Sequence, residues 1–579
     1  MSAMIDYKAE AKAIEQKHAA DYLAEVLEIL PWGFRKFIPG EYWKIYKREG
    51  FFAANLFLTG LKDQAKKISY RLALDDDQLI NEAEASARMC ESFLINAVGD
   101  YDLAWYMAEA YAINKRVELP DTEKLGVYPA MMRLTDGRWW RRALRKVHAR
   151  GLETLAIKAN AVHVRRSTYA SVDTVKRRGE QKARNARILE NIKAVNEVGD
   201  EYSLAELAAL NVSNPSIRRA ELMTRIAGFQ VMADQQGHVG EFYTWTAPSK
   251  YHAVLSRSGA RNPKFKGYTP RETQAYLSKQ WAKARAELKR AGIKPYGFRV
   301  VEPHHDATPH WHMLFFMPFG QVLKCREILR RYALEVDGDE EGAQKQRFKA
   351  VAIDKSKGTA AGYIAKYIAK AIDGFKLDAD LYGNTANDAA RNIEAWASTW
   401  NIRQFQQIGG ASVTVWRELR RLKAEDTGTN EFLERARAAA DRGDWAEYCN
   451  LNDAGQIALM LSDETETGRY GDVKQKRVIG IQTAVGNLLG GSDEVITRVH
   501  TWIIGQPNQQ AEGAQSAQGE AAAPWSTVNN CTEDLKKLEQ YKRMQTTAYE
   551  EFRLLIESGD YSPGKFDEFY EEWLYERGF

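Results

Sequence analysis

Residues 296–318 read YGFRVVEPHHDATPHWHMLFFMP. Two apolar runs, 296–302 and 310–318, flank the turn-rich PHHDATP, which is the pattern of two strands joined by a short connection. Side chains at i and i+2 of a strand share a face, so His310 and His312 project together while Trp311 enters the opposite layer. If the turn pairs Glu302 with His310, then Val300 faces His312 and His304 faces Thr308. Glu302 and His304 then share the face of the two histidines, whereas a register shifted by one residue separates them. Two imidazoles and a third donor can grip a divalent cation and leave positions open for substrate. Glu302 is the first candidate for that donor, with His304, His305 and Asp306 as alternatives. An isolated His-x-His pair is also compatible with satisfied polar residues on a half-buried strand. The extra acidic and imidazole groups crowded into the adjoining turn favour metal binding.

Outward from the hairpin, EFYTWTAPS (241–249) alternates aromatic residues and threonines up to Pro248 and predicts a strand. TPRETQAYLSKQWAKARAELKRAG (269–292) predicts a long amphipathic helix, and further helices are expected around 322–336 and 359–372. Strand–helix–strand–strand–helix is the order of a split βαβ, ferredoxin-like sheet, so the fold class is α+β with a central antiparallel sheet. The expected division is a helical N-terminal domain (1–130), a basic helical DNA-contact region (131–235), the sheet-bearing domain (236–420) and a helical C-terminal region (421–505). A flexible linker (506–525), rich in Gln, Ala and Gly, and an acidic helical tail (526–579) follow. Residues 202–230 fit either a helix-turn-helix or an ordinary helical hairpin.

GYIAKYIAK (362–370) places Tyr363 and Tyr367 four residues apart, on one face of a helix, with Lys366 and Lys370 at the same spacing. Paired tyrosines commonly line a core or groove. Beside a cation site, however, a tyrosine can attack a phosphodiester, release a 3′-OH and keep the phosphate, so that the cut can be resealed without ATP. Two tyrosines permit one to hold a DNA end while the other cuts again. The chain contains no GxxxxGK[ST] phosphate loop, which argues against an intrinsic helicase motor.

The 579 residues carry 82 Lys+Arg and 78 Asp+Glu, a net charge of +4, and near-neutrality by itself argues against nucleic acid. Its distribution argues otherwise: residues 131–190 hold 16 basic and 5 acidic side chains, whereas 526–579 hold 7 basic and 12 acidic ones. Within RWWRRALRKVHAR (138–150), Arg138, Arg141, Arg142, Arg145 and Lys146 are interleaved with Trp139 and Trp140. Arginine forks bind phosphate and indoles stack on bases, so these seven are the candidate DNA contacts. The same composition fits a solvated helix face around a buried Trp pair. Four scattered cysteines without a CxxC pair fit a reducing cytoplasm, and neither a membrane-spanning run nor an apolar signal core is present.

Tyr-Thr-Trp-Thr-Ala-Pro-Ser (243–249), Glu-Pro-His-His-Asp-Ala-Thr-Pro-His-Trp-His (302–312) and Tyr-Ile-Ala-Lys-Tyr (363–367), in this order, resemble the bacteriophage replication gene A proteins. These are two-tyrosine members of the His-hydrophobic-His (HUH) endonuclease superfamily. The resemblance implies a rolling-circle replication initiator, a metal-dependent DNA nickase with strand-joining activity. It nicks one origin strand, stays on the 5′ end through a phosphotyrosine and leaves a 3′-OH primer. It further implies His310 and His312 as metal ligands with Mg²⁺ or Mn²⁺, Tyr363 and Tyr367 as alternating nucleophiles, and Lys366 as support for the phosphate or leaving group. Origin DNA, a host helicase and the replication machinery are the implied partners, and the cytoplasm of the bacterial host is the implied location. Competing expectations are an HUH relaxase or transposase and, in another class, a non-catalytic DNA-binding regulator.

Overall fold

The computed structural model describes residues 7–505 apart from 68–74, 257, 355, 357, 375–384, 464, 466, 475 and 486–492. The expected linker and acidic tail lie outside the described residues. Among the described residues no helix is long and apolar enough to cross a membrane. The chain is α+β, with helices dominating up to residue 192 and three antiparallel sheets among the described residues.

The largest sheet has five strands: β1 (His238–Thr246), β2 (Tyr296–Pro303), β3 (Pro309–Pro318), β4 (Phe348–Ala352) and β5 (Phe405–Ile408). Their spatial order is β4-β1-β3-β2-β5, and every neighbouring pair is antiparallel. The helices that concern the site are α1 (Gly137–Lys158), α2 (Pro215–Gln235), α3 (Pro270–Arg290), α4 (Val322–Leu334), α5 (Ala360–Ile372) and α6 (Ala386–Trp400).

Alternation along the strands sends side chains into two separate cores. Tyr243, Trp245, Trp311, Met313 and Phe315 pack with Leu277 and Trp281 of α3 and Cys325 and Ile328 of α4. On the opposite face, Phe242, Phe298, Val300, Leu314 and Phe316 meet Ile226 and Phe229 of α2, Ile364 and Ile368 of α5, and Ile393 of α6. Each such buried side chain contributes about 2 kcal/mol, so a register slip that swapped the two faces would be prohibitive. Helix α3 starts at a capping box between Thr269 and Glu272, with Pro270 in its first turn. Helix α5 starts where the Thr269-like cap Thr359 accepts a hydrogen bond from the Gly362 amide.

Two sequence expectations need correction. The 421–505 region is helical only at first, through Glu431–Asp441 and Trp445–Leu451. It then forms a sheet of Ile457–Leu461, Val478–Thr483 and Asp493–Ile496. The β-branched run Val478-Ile-Gly-Ile481 favours a strand, with Ile481 buried and Gln482 exposed. The 131–235 region likewise contains the strands Lys193–Asn196 and Glu201–Ser203, the first paired with Trp502–Gly505. In the 202–230 segment the first helix, Leu204–Ala209, has only six residues, while α2 buries Leu222, Ile226 and Phe229 against the sheet face. The short helix packs against the helix Val172–Asn191, while α2 packs against the sheet.

Candidate active site

The β2–β3 hairpin pairs Glu302 with His310 and Val300 with His312, the register the sequence suggests. On the other side of β3, Thr244 lies opposite His312 and Thr246 opposite His310. Glu302, His310 and His312 therefore share one face, and their ligand atoms lie within 4.8 Å of one another.

The connecting turn is fixed from several directions. The His304 amide donates to the Thr308 carbonyl at 2.7 Å, and the Thr308 amide donates to Asp306 Oδ1 at 3.1 Å. Ala307 adopts φ +69°, a left-handed conformation that disfavours a residue with a Cβ. Its carbonyl accepts a 2.8 Å hydrogen bond from Trp396 Nε1 of α6, which holds it there.

Glu302 and His312 are only 2 % and 6 % exposed. Glu302 Oε2 lies 3.6 Å from His312 Nε2 and 3.7 Å from Lys370 Nζ. Glu302 Oε1 and His310 Nδ1 are buried without a hydrogen-bond partner. Such orphaned polar atoms are costly unless something satisfies them, and a divalent cation suits one carboxylate and two imidazoles. Burial first, then His304, His312 and Lys370, hold His310 well below the usual imidazole range, which keeps it neutral as a ligand must be. His312 Nδ1 sits 3.3 Å from Thr244 Oγ1. The tautomer that donates there leaves the Nε2 lone pair facing Glu302.

The other candidates for the third ligand are engaged differently. His304 stacks on His310 with ring centroids 3.9 Å apart, and burial followed by the nearby His252 lowers it to about 3. Asp306 Oδ2 meets His252 Nδ1 at 3.1 Å. His305 is buried, and its carbonyl accepts from the Tyr169 amide at 3.3 Å.

Helix α5 brings its tyrosines over this face. The Tyr367 ring stacks on His312 at 4.0 Å and on Phe242 at 5.7 Å, while Tyr363, one turn earlier, reaches Phe242 at 6.4 Å. Burial, and then the Glu302 charge, push the Tyr367 phenol up to about 12. Its deprotonation therefore needs positive charge nearby. Lys366 is exposed, with Nζ 4.9 Å from the Tyr367 ring centre. Lys370 is the lysine that enters the site, through its ion pair with Glu302. Its i+4 spacing from Lys366 was the available signal for it, but spacing alone does not say which lysine meets the carboxylate.

The seven candidate DNA contacts all lie on α1, and they divide. Arg142 is exposed, whereas Arg145 grips Asp76 with two hydrogen bonds of 2.7 and 2.6 Å, and Lys146 pairs with Glu118 at 3.3 Å. Arg138 and Arg141 are half-buried, Arg141 with Nε unpartnered. Trp139 is half-buried edge-on to Trp140. Trp140 is a correction: it is fully buried, with Nε1 donating to the Leu134 carbonyl at 2.7 Å, so it packs the helical core and offers no face to a base. Trp140→Ala is accordingly expected to cost about 4 kcal/mol in urea unfolding, the range for truncating a buried large side chain. A cost below about 1 kcal/mol would contradict its place in that core.

Among known families, that of the bacteriophage replication gene A protein (GPA) matches residues 62–375, more than half of the chain. The replication gene A protein of Escherichia phage 186 is 41% identical over 452 residues, covering 74% of this chain and 64% of that protein. The replication gene A protein of Escherichia phage P2 is 38% identical over 426 residues, covering 70% and 55%. A protein of Salmonella paratyphi A named "Probable replication endonuclease from prophage-like region" is 31% identical over 475 residues, covering 75% and 58%. The chain thus spans less than two thirds of the length of each of these relatives. No solved structure matches it. With the family's match running through the histidine hairpin and the tyrosine helix, the chain belongs to the bacteriophage replication gene A protein family.

Proposed function

We propose that this chain initiates rolling-circle replication as a site- and strand-specific DNA nickase that also rejoins strands. The observation that carries the proposal is the Tyr367 ring stacked at 4.0 Å on His312, one of three grouped metal-type donors. The sheet order supports an HUH-type domain within 236–420: strands β1 to β4 and helices α3 and α4 follow one another as βαββαβ, in spatial order β4-β1-β3-β2. Relatives named for replication and for a replication endonuclease point to the same chemistry.

Glu302, His310 and His312 would hold Mg²⁺ or Mn²⁺, which supplies charge neutralisation at the scissile phosphate. This chain's own part is nucleophile and geometry. A tyrosine oxygen bonds to phosphorus, the P–O3′ bond breaks, and the 3′-oxygen departs with a proton as the primer hydroxyl. The phosphate stays on the tyrosine at the 5′ end, and attack by another 3′-OH reverses the step and joins the strands. Lys370 anchors the Glu302 carboxylate, while the exposed Lys366 sits where it can meet the phosphate or the leaving oxygen. The surplus of basic residues in 131–190 draws in origin DNA, and strand separation falls to a host helicase and replication machinery in the bacterial cytoplasm. A relaxase or transposase shares the chemistry, but the family match favours replication. A non-catalytic regulator would not need a tyrosine stacked on a metal-type triad.

Incubation with supercoiled origin DNA and Mg²⁺, followed by denaturing electrophoresis, is expected to show a covalent protein–DNA adduct. The Tyr363→Phe/Tyr367→Phe protein should form none. Adduct formation by that double variant at the level of the unaltered protein would defeat the proposal.

A further inference from the structure

A concave site lies outside the histidine–tyrosine cluster. Beside α1 is a cleft of about 620 Å³, a size that admits one nucleotide. Leu119, Leu125, Val147 and the Trp139 indole form its apolar walls, and Arg116, Arg142, Lys146 and Arg150 are among the cations lining it. Its lining contains one carboxylate, Glu118. Glu118 is shared among Lys146 at 3.3 Å, Arg150 at 3.4 Å and Arg271 at 3.0 Å. One carboxylate cannot neutralise three cations. Arg142 and Arg116 are exposed and have no ion-pair partner among the described residues, and Arg150 Nη2 is buried with no hydrogen-bond acceptor. Arg116 holds φ +56° at a helix end, where glycine or asparagine is the less strained choice, so a long cation occupies an unfavourable backbone position.

We propose that this cleft binds one nucleotide of single-stranded DNA, with the base against Trp139 and the phosphate on Arg142, Lys146 and Arg150. The phosphate then takes over cations that Glu118 holds in the free protein. The proposal rests on the nickase reading and extends it with a second contact on the same strand. Two features favour DNA over an acidic peptide. The indole wall is already oriented, edge-on to Trp140 at 5.3 Å and 89°, so stacking a base on it requires little further ordering. The cleft is also tied to the catalytic turn: Arg150 Nε donates to the Thr399 carbonyl of α6, and Trp396 of the same helix holds Ala307. The two sites therefore share one supporting helix.

The test is equilibrium binding of a fluorescent oligothymidylate to the full chain in EDTA, over a range of salt. Trp139→Leu is expected to weaken binding about tenfold, the loss of one stacked base, with Trp139→Phe largely restoring it. Glu118→Gln should tighten binding several-fold, a gain that misfolding cannot produce. Arg142→Gln should lower the log–log salt slope by about 0.7, the value of one phosphate contact. Arg285→Gln on α3 serves as a control of equal charge change outside the cleft. The cleft proposal is overturned if Trp139→Leu and Glu118→Gln bind like the unaltered chain, if Arg285→Gln matches Arg142→Gln, or if an oligoglutamate peptide binds more tightly than the oligonucleotide. Adduct formation on a short substrate separates the two proposals. An adduct without a Trp139 effect removes only the cleft, and a Trp139 effect without any adduct removes only the nickase.

Discussion

Glu302→Gln and His310→Ala/His312→Ala proteins are expected to bind a DNA strand normally in EDTA and to lose at least about a thousandfold in Mg²⁺-dependent cleavage. Glutamine keeps the size of the side chain but removes the charge that faces His312 Nε2 and Lys370 Nζ. The site then keeps a half-buried ammonium with no anion, and a divalent cation meets net repulsion instead of attraction. The double alanine variant removes two imidazoles from the face they share with Glu302, while Trp311 and Met313 still fill the opposite core. The fold should therefore survive, and circular dichroism would verify it. Calorimetric titration with Mn²⁺ supplies a readout independent of cleavage: binding is expected for the unaltered chain and none for the double alanine variant. Undiminished cleavage by either variant would rule these residues out as ligands.

The two tyrosines should be unequal in the first cut. Tyr367 lies over His312, while Tyr363 touches only Phe242 among the aromatic rings of the site. Tyr367→Phe keeps the stacked ring and deletes only the hydroxyl. It is expected to lose at least about a thousandfold in single-turnover cleavage of an oligonucleotide, as removal of a nucleophile does. Tyr363→Phe should retain most of that first cut and fail in joining a second strand to the held end. Burial and the Glu302 charge, which raise the Tyr367 phenol to about 12, mean that its reactivity depends on the cation-binding residues. Tyr367→Phe should therefore add little to the loss already caused by Glu302→Gln. Equal first-cut rates for the two phenylalanine variants would refute this asymmetry.

The hairpin was legible because the chemistry is local. A five-residue turn between two apolar runs admits few registers, and only one places Glu302 opposite His310. The shared face of Tyr363 and Tyr367 follows from helical spacing in the same way. What escaped were long-range choices. The edge strands β4 and β5 are five and four residues long, too short for an alternation to stand out. The pairing of Lys193–Asn196 with Trp502–Gly505 joins segments about 300 residues apart, and nothing in either announces its partner. Trp140 and Trp139 are adjacent in a basic stretch, so composition could not tell the fully buried indole from the one lining a cleft. Nor could the helical spacing of Lys366 and Lys370 show that the latter would face Glu302, because that depends on how α5 is rotated over the sheet.

The most direct test of the central claim is to map the covalent bond. The adduct formed with origin DNA and Mg²⁺ would be treated with nuclease and protease, and the modified peptide sequenced by mass spectrometry. A deoxynucleotide joined through its 5′-phosphate to Tyr367 or Tyr363 is the predicted result. A nucleotide on any other residue, or nicked DNA with a free 5′-phosphate and no modified peptide, would contradict it.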